Sequence, residues 1–109
     1  MNYPATLNSP QYVLSSLGTT SAAVTLEEQF KNVTRIIIDN TAGSSPVFVT
    51  SAISGAVAVF PSSATVSSAG SIVGAGTVQT YTKDPNHGSI AAIRQSGIGD
   101  LYVMIAQGD

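Results

Sequence analysis

Val33-Thr34-Arg35-Ile36-Ile37-Ile38-Asp39-Asn40 is the stretch that decides how this chain is read. Its three consecutive isoleucines are stiff, β-branched side chains that fit a pleated surface better than a helix. Side chains alternate faces along a strand, so Thr34, Ile36 and Ile38 share one face, and Val33, Arg35, Ile37 and Asp39 share the other. The first face carries no charge and is the expected core face, on a central strand. The following Asn40-Thr41-Ala42-Gly43-Ser44-Ser45 reads as a loop from its turn-forming residues. Pro46 then opens a second strand, Val47-Phe48-Val49-Thr50, at a position where its missing N–H is tolerated.

The reading extends outward from there. Upstream, residues 21–26 form a plausible strand. Thr25 followed by Glu28 fits a helix capping box, but the segment is too short for a stable helix, so a single helical turn or a structured loop is expected. Downstream, residues 56–60 form a weak strand broken by Pro61, and the short runs at 65–66 and 71–73 are further candidates. Thr77-Val78-Gln79-Thr80-Tyr81-Thr82 alternates cleanly, and Lys83-Asp84-Pro85-Asn86-His87-Gly88 is a turn cluster. A strand at 89–94, a hairpin-like turn at 95–100 and a closing strand at 101–106 follow. Phe48 and Phe60 are expected in the core, and Tyr81 and Tyr102 as a cross-strand pair. Roughly six to eight short strands with frequent turn signals, and no helical pattern between them, predict an all-β fold. Its expected form is an antiparallel β-sandwich or jelly-roll-like barrel. Residues 1–20 are polar, contain Pro4 and Pro10 and hold no lasting period, so they read as an extended N-terminal arm ahead of a single β-domain at 21–109. Tyr3, Leu7, Tyr12, Val13 and Leu14 give that arm its apolar and aromatic anchors and are the candidate partner-binding residues.

Only 9% of the 109 residues are charged, where an ordinary soluble domain has about 25%. Ser, Thr, Gly and Ala take the place of charge, which suits surfaces that end against other proteins. The net charge is −2 and the four Lys and Arg residues are scattered, so phosphate-driven nucleic-acid binding is not expected. The chain has no cysteine, which excludes disulfides and thiolate metal sites. No run of about 20 apolar residues spans a membrane as a helix. Met1 to Thr6 lacks the features of a signal peptide, so synthesis in a bacterial cytoplasm is expected.

Catalytic chemistry is scarce. His87 is the lone histidine and sits in a turn cluster. Asp84 and Asn86 have the spacing of the start of a calcium loop, without its later acidic ligands. Glu27 and Glu28 are adjacent and point apart, so they form no paired-carboxylate site. Gly74-Ala75-Gly76 lacks the third glycine and the Lys-Ser/Thr of a phosphate loop. Asn32-Val33-Thr34 fits a glycosylation sequon, read as accidental where it leads into a strand. The expectation is a non-enzyme with no cofactor and no metal.

The order of these features has a recognisable look. Asn40-Thr41 closes an apolar strand, Pro46-Val47-Phe48-Val49 follows, and a Ser/Thr/Ala-rich middle leads to Val78-Gln79-Thr80-Tyr81. The turn with His87, Ile90-Ala91-Ala92-Ile93 and a closing Gly97-x-Gly99-x-Leu101-Tyr102-Val103 complete it. This pattern of common residues resembles small structural proteins of tailed bacteriophages, including capsid decoration or cement proteins, over roughly residues 33–108. The resemblance implies a jelly roll or related sandwich, held in many copies on a symmetric shell, with the major capsid protein or other virion proteins as partners. The competing expectation is a tail-fibre or adhesin-type module that recognises a host receptor or carbohydrate through the loop at 83–88.

Overall fold

In the computed structural model, which describes residues 11–28, 30, 32–61 and 70–106, eight strands form two four-stranded antiparallel sheets. They are β1 (Gln11–Leu17), β2 (Ala22–Thr25), β3 (Arg35–Asp39), β4 (Val47–Ala52), β5 (Ser71–Val73), β6 (Val78–Thr82), β7 (Ser89–Arg94) and β8 (Gly99–Ile105). One sheet has the order β1-β8-β3-β6 and the other β2-β7-β4-β5. The ladders β1·β8, β2·β7, β3·β6 and β4·β5 are those of one long hairpin. Rolling that hairpin up adds the ladders β3·β8 and β4·β7. The result is a jelly roll, the double-sheet solution to burying two apolar faces.

The isoleucine strand does what its pattern dictates. β3 lies between β8 and β6, with Ile36 and Ile38 buried at 3% and 0% exposure. Ile36 stands opposite Ile105 and Tyr81, and Ile38 opposite Val103. Across the sandwich, Val47 and Val49 of β4 and Ile90 and Ala92 of β7 complete the core. Replacing Ile36 with Ala is expected to cost about 2–5 kcal/mol, read as a lower urea midpoint at unchanged slope.

A second, smaller cluster lies on the outer face of the β4/β7 sheet. Phe48, opposite Ile93 and Ile72, is buried there with Ala91 beneath Ala56 and Ala58, and Phe60 and Ala52 pack on its margin. Residues 53–61 therefore form a flap over that face. The flap is not the β-strand expected at 56–60, because its backbone is tied down by side chains: Ala56 N donates to Ser89 Oγ (3.0 Å) and Ala58 N to Ser21 Oγ (2.9 Å).

Two further expectations, the arm and the tyrosine pair, are corrected. The arm placed at residues 1–20 is, over its second half, the strand β1: Leu14 and Leu17 enter the core and Gln11 to Leu14 pair with β8. Residues 1–10 lie outside the described residues. The capping-box segment, expected as a single helical turn or a structured loop, forms turns with no helix among the described residues. Thr25 belongs to β2, and short turns follow, with Phe30 N on Glu27 O (2.8 Å) and Val33 N on Phe30 O (3.2 Å). Tyr81 and Tyr102 do not pair, because β3 separates their strands and alternation turns Tyr81 inward and Tyr102 outward. The candidate strand at 65–66 lies outside the described residues.

Candidate assembly surfaces

The jelly roll has two ends, and at each of them polar residues continue an inward-facing row, at the last residue of a strand or one step past it. Asn40 follows Ile36 and Ile38, Arg94 follows Ile90 and Ala92, and Lys83 follows Tyr81. Asn40 and Arg94 meet at the end formed by the β1–β2, β3–β4, β5–β6 and β7–β8 loops. Arg94 is 1% exposed, and its guanidinium donates to Leu17 O (3.0 Å), Ser45 O (2.8 Å) and Gly99 O (3.1 Å). Burial pushes this group below the ordinary arginine range. Asn40, fully buried, donates through Nδ2 toward Ser45 O, Val73 O and Gly74 O, and its Oδ1 has no partner among the described residues. One charged fork and one amide thus fasten four loops.

Gly43 sits against this knot. A Cβ there would overlap the Arg94 guanidinium and stand 2.5 Å from Asn40 Oδ1. Gly43→Ala is therefore expected to destabilise by about 1–3 kcal/mol, because the buried fork cannot swing aside without losing its carbonyls. Thermal unfolding measures this, and the penalty should shrink in an Arg94→Ala background, where the obstruction is gone.

At the opposite end, Lys83 is buried and donates to Asp84 O at 3.0 Å. Desolvation lowers its affinity for the proton, and the Asp84 carboxylate pulls partly the other way. The Asp84 carboxylate accepts from Asn86 N (2.8 Å), so the calcium-like spacing serves as a turn brace. His87 Nδ1 lies 2.7 Å from Ser51 Oγ. Among the described residues no three His, Asp or Glu side chains gather as a metal site, and no helix is long and apolar enough to cross a membrane.

The broad faces differ. From residue 40 to 82 the chain contains no Asp, Glu, Lys, Arg or His. This span supplies β4, β5, the flap and β6. On the flap side Ile53, Val57, Val59 and Ile72 are exposed at 72%, 70%, 64% and 51%. On the other sheet the outer face carries registered rows. Val13, Tyr102, Asp39 and Val78 form one, and Met104, Ile37 and Thr80 lie in the next. Four edge strands, β1, β6, β2 and β5, border the two sheets.

The expected partner residues separate accordingly. Tyr3 and Leu7 lie outside the described residues. Val13 is exposed on the outer face of β1. Tyr12 is half-buried against the core, its hydroxyl accepting from Glu27 N at 3.0 Å. Leu14 is a correction: at 6% exposure it is a core residue facing Leu101 and is not available to a partner. Nothing in the sequence flagged the flap, because its alternating Ala and Val read as a weak strand ending at Pro61.

Fold and surfaces together define an eight-stranded jelly roll with two weakly charged faces. No family model and no curated protein matches the chain. A solved structure similar in fold is a subunit of the disulfide-linked pili formed by Bacillus endospore appendages, with a TM-score of 0.52 at 10% sequence identity, the alignment covering 99% of this chain and 95% of that one.

Proposed function

We propose that the protein is a structural subunit that acts in many copies, packed through its outer faces into a larger protein assembly. The observation that carries this is the flap and the neighbouring β5: four large apolar side chains stand exposed there, on a stretch of chain, residues 40–82, that contains no charged residue. The fold likeness to a pilus subunit supports the same role. In this proposal the chain performs no catalytic step and holds no cofactor, and its partners are copies of itself and other structural proteins.

Within that role, the sequence resemblance favours a virion setting, with the domain decorating a phage head and bridging capsid subunits. The fold likeness favours a filament. A filament of this chain would not be disulfide-linked, because there is no cysteine to link copies. Sedimentation of the purified protein over a wide concentration range, with negative-stain microscopy of the same samples and of mixtures with phage heads, tests the proposal. Concentration-dependent assembly into filaments supports the appendage form, and copies spread over the shell support the decoration form. Copies confined to a tail support the fibre or adhesin alternative. A protein that stays monomeric throughout and coats no particle overturns the proposal. The Val57→Asp, Val59→Asp double variant should keep its unfolding midpoint within about 0.5 kcal/mol, since both side chains are solvated, while losing assembly.

A further inference from the structure

The sheet β1-β8-β3-β6 ends in two edge strands, and the hydrogen bonds along it show which backbone groups those edges offer. Asn40 N donates to Thr77 O (2.9 Å) and Lys83 N to Thr34 O (2.8 Å), so residues 77, 79, 81 and 83 turn their N–H and C=O toward β3. Direction alternates along an antiparallel ladder, so Val78, Thr80 and Thr82 turn theirs outward. On β8, Ala106 N donates to Arg35 O (3.2 Å), which points residues 102 and 104 at β3 and residues 101 and 103 at β1. Tyr12 and Leu14, opposite Val103 and Leu101, therefore bond to β8, while Gln11 and Val13 turn their backbone groups outward. Neither edge has a strand beside it among the described residues. Neither β1 nor β6 contains a charged residue or a proline, two of the usual devices that keep such edges apart. The bulge in β1 comes only after Leu14.

The strand directions say what fits. Each strand of this sheet is antiparallel to its neighbour, so β1 and β6 run in opposite directions. A second copy in the same orientation, shifted along the sheet, thus brings its β1 antiparallel to β6 of the first. The faces match as well. With Thr80 opposite Val13 and Thr82 opposite Gln11, the outward backbone groups meet and the exposed side chains share the outer face. Tyr81 then stands opposite Tyr12 in the inward-facing row. We propose that copies of this chain join head to tail by pairing β6 of one with β1 of the next, so that one sheet runs on from subunit to subunit. This rests on the reading of the protein as a multi-copy structural subunit, and it adds the contact and its symmetry. The contact is heterologous, so it leaves one free edge at each end of a row of subunits. A five-residue ladder is about 17 Å long. It is small beside a stable interface, so repetition along the row and the apolar flap complete the assembly.

The test uses the full chain. Thr80→Pro removes an outward N–H from β6, at an edge position where proline is tolerated. It should keep the wild-type urea midpoint and stay monomeric in sedimentation where the wild type assembles. Because it still offers β1, a small fraction of it added to assembling wild type should shorten the assemblies several-fold. The Val13→Pro, Thr80→Pro double variant, blocked at both edges, should leave them unchanged. If Thr80→Pro loses its cooperative urea transition, Val78→Lys, Thr80→Lys takes its place, since both side chains are exposed and lysine blunts an edge. Folded edge variants that assemble as the wild type does overturn the edge pairing and leave the multi-copy reading standing. A wild type that coats phage heads but forms no assembly by itself does the same. Equal shortening by the single and double variants overturns the head-to-tail order. A wild type that neither assembles nor coats a particle overturns both.

Discussion

Deleting residues 1–20 should abolish folding, whereas deleting residues 1–10 should leave a cooperatively folding domain. The longer deletion removes β1. Leu14 and Leu17 leave the core, each worth about 2–5 kcal/mol by analogy with large-to-small core substitutions, against a total stability of about 5–15 kcal/mol for a domain of this kind. It also strips one edge of β8, a strand otherwise paired on both sides, and takes away the Leu17 carbonyl on which Arg94 rests. A bare, flat strand edge invites aggregation. Amide chemical-shift dispersion and the urea transition of the two truncations decide the matter. A well-dispersed, two-state spectrum from the longer truncation would show that β1 is dispensable and restore the reading of residues 1–20 as an arm.

The second large effect is expected from Arg94. Substitution by Ala leaves Leu17 O without its donor, loosens Gly99 O and opens a void where the stem was packed. Unsatisfied buried carbonyls cost about 1–3 kcal/mol each and the void adds to that, so a loss of about 4 kcal/mol is expected. For a chain of this length that corresponds to a fall of roughly 15 °C in Tm. Arg94→Lys should recover little, because a single ammonium cannot reach three carbonyls that diverge from one fork. Calorimetry on the two variants measures both numbers. Wild-type Tm in the Lys variant would mean that charge alone, and not the fork, holds the loops.

The strands with unbroken alternation were legible in the sequence: β3, β6, β7 and β8 fall where period two puts them, and Pro46 marks the start of β4. β1 was not legible, because its buried residues, Leu14 and Leu17, are three apart. The register shifts between them, and Ser16 adopts φ 50 and donates its N–H to Asp100 Oδ1 at 2.8 Å. That irregularity erases the period a sequence reading relies on. The polar end residues could have been found. Extending the inward rows by one step past β3 and β6 lands on Asn40 and Lys83, and the inward row of β7 itself ends on Arg94. What no such extension reveals is that Arg94 and Asn40, which come from strands in different sheets, share one knot, or that Ser51 meets His87. Those contacts depend on how the long hairpin rolls. The expectation for residues 83–88 as a turn held, and the pairing of its histidine needed the third dimension.

The rolled-up hairpin also sets an order of events during synthesis. Among the eight strands, β4 and β5 are the only sequence neighbours that pair with each other. β3 must wait for β6, β2 for β7, and β1 for β8, the last of the eight to be made. Until then β1, β2 and β3 emerge with their hydrogen-bonding edges open, and the isoleucines of β3 stay uncovered. Such non-local pairing is slow to form and exposed to misassociation. The nascent chain therefore passes through a window in which its neighbours on a polysome are as close as its own missing strand. The scarcity of charge that suits the finished domain to an assembly gives it little protection there. High-level expression of this protein is thus a contest between completing its own roll and borrowing strands from another copy.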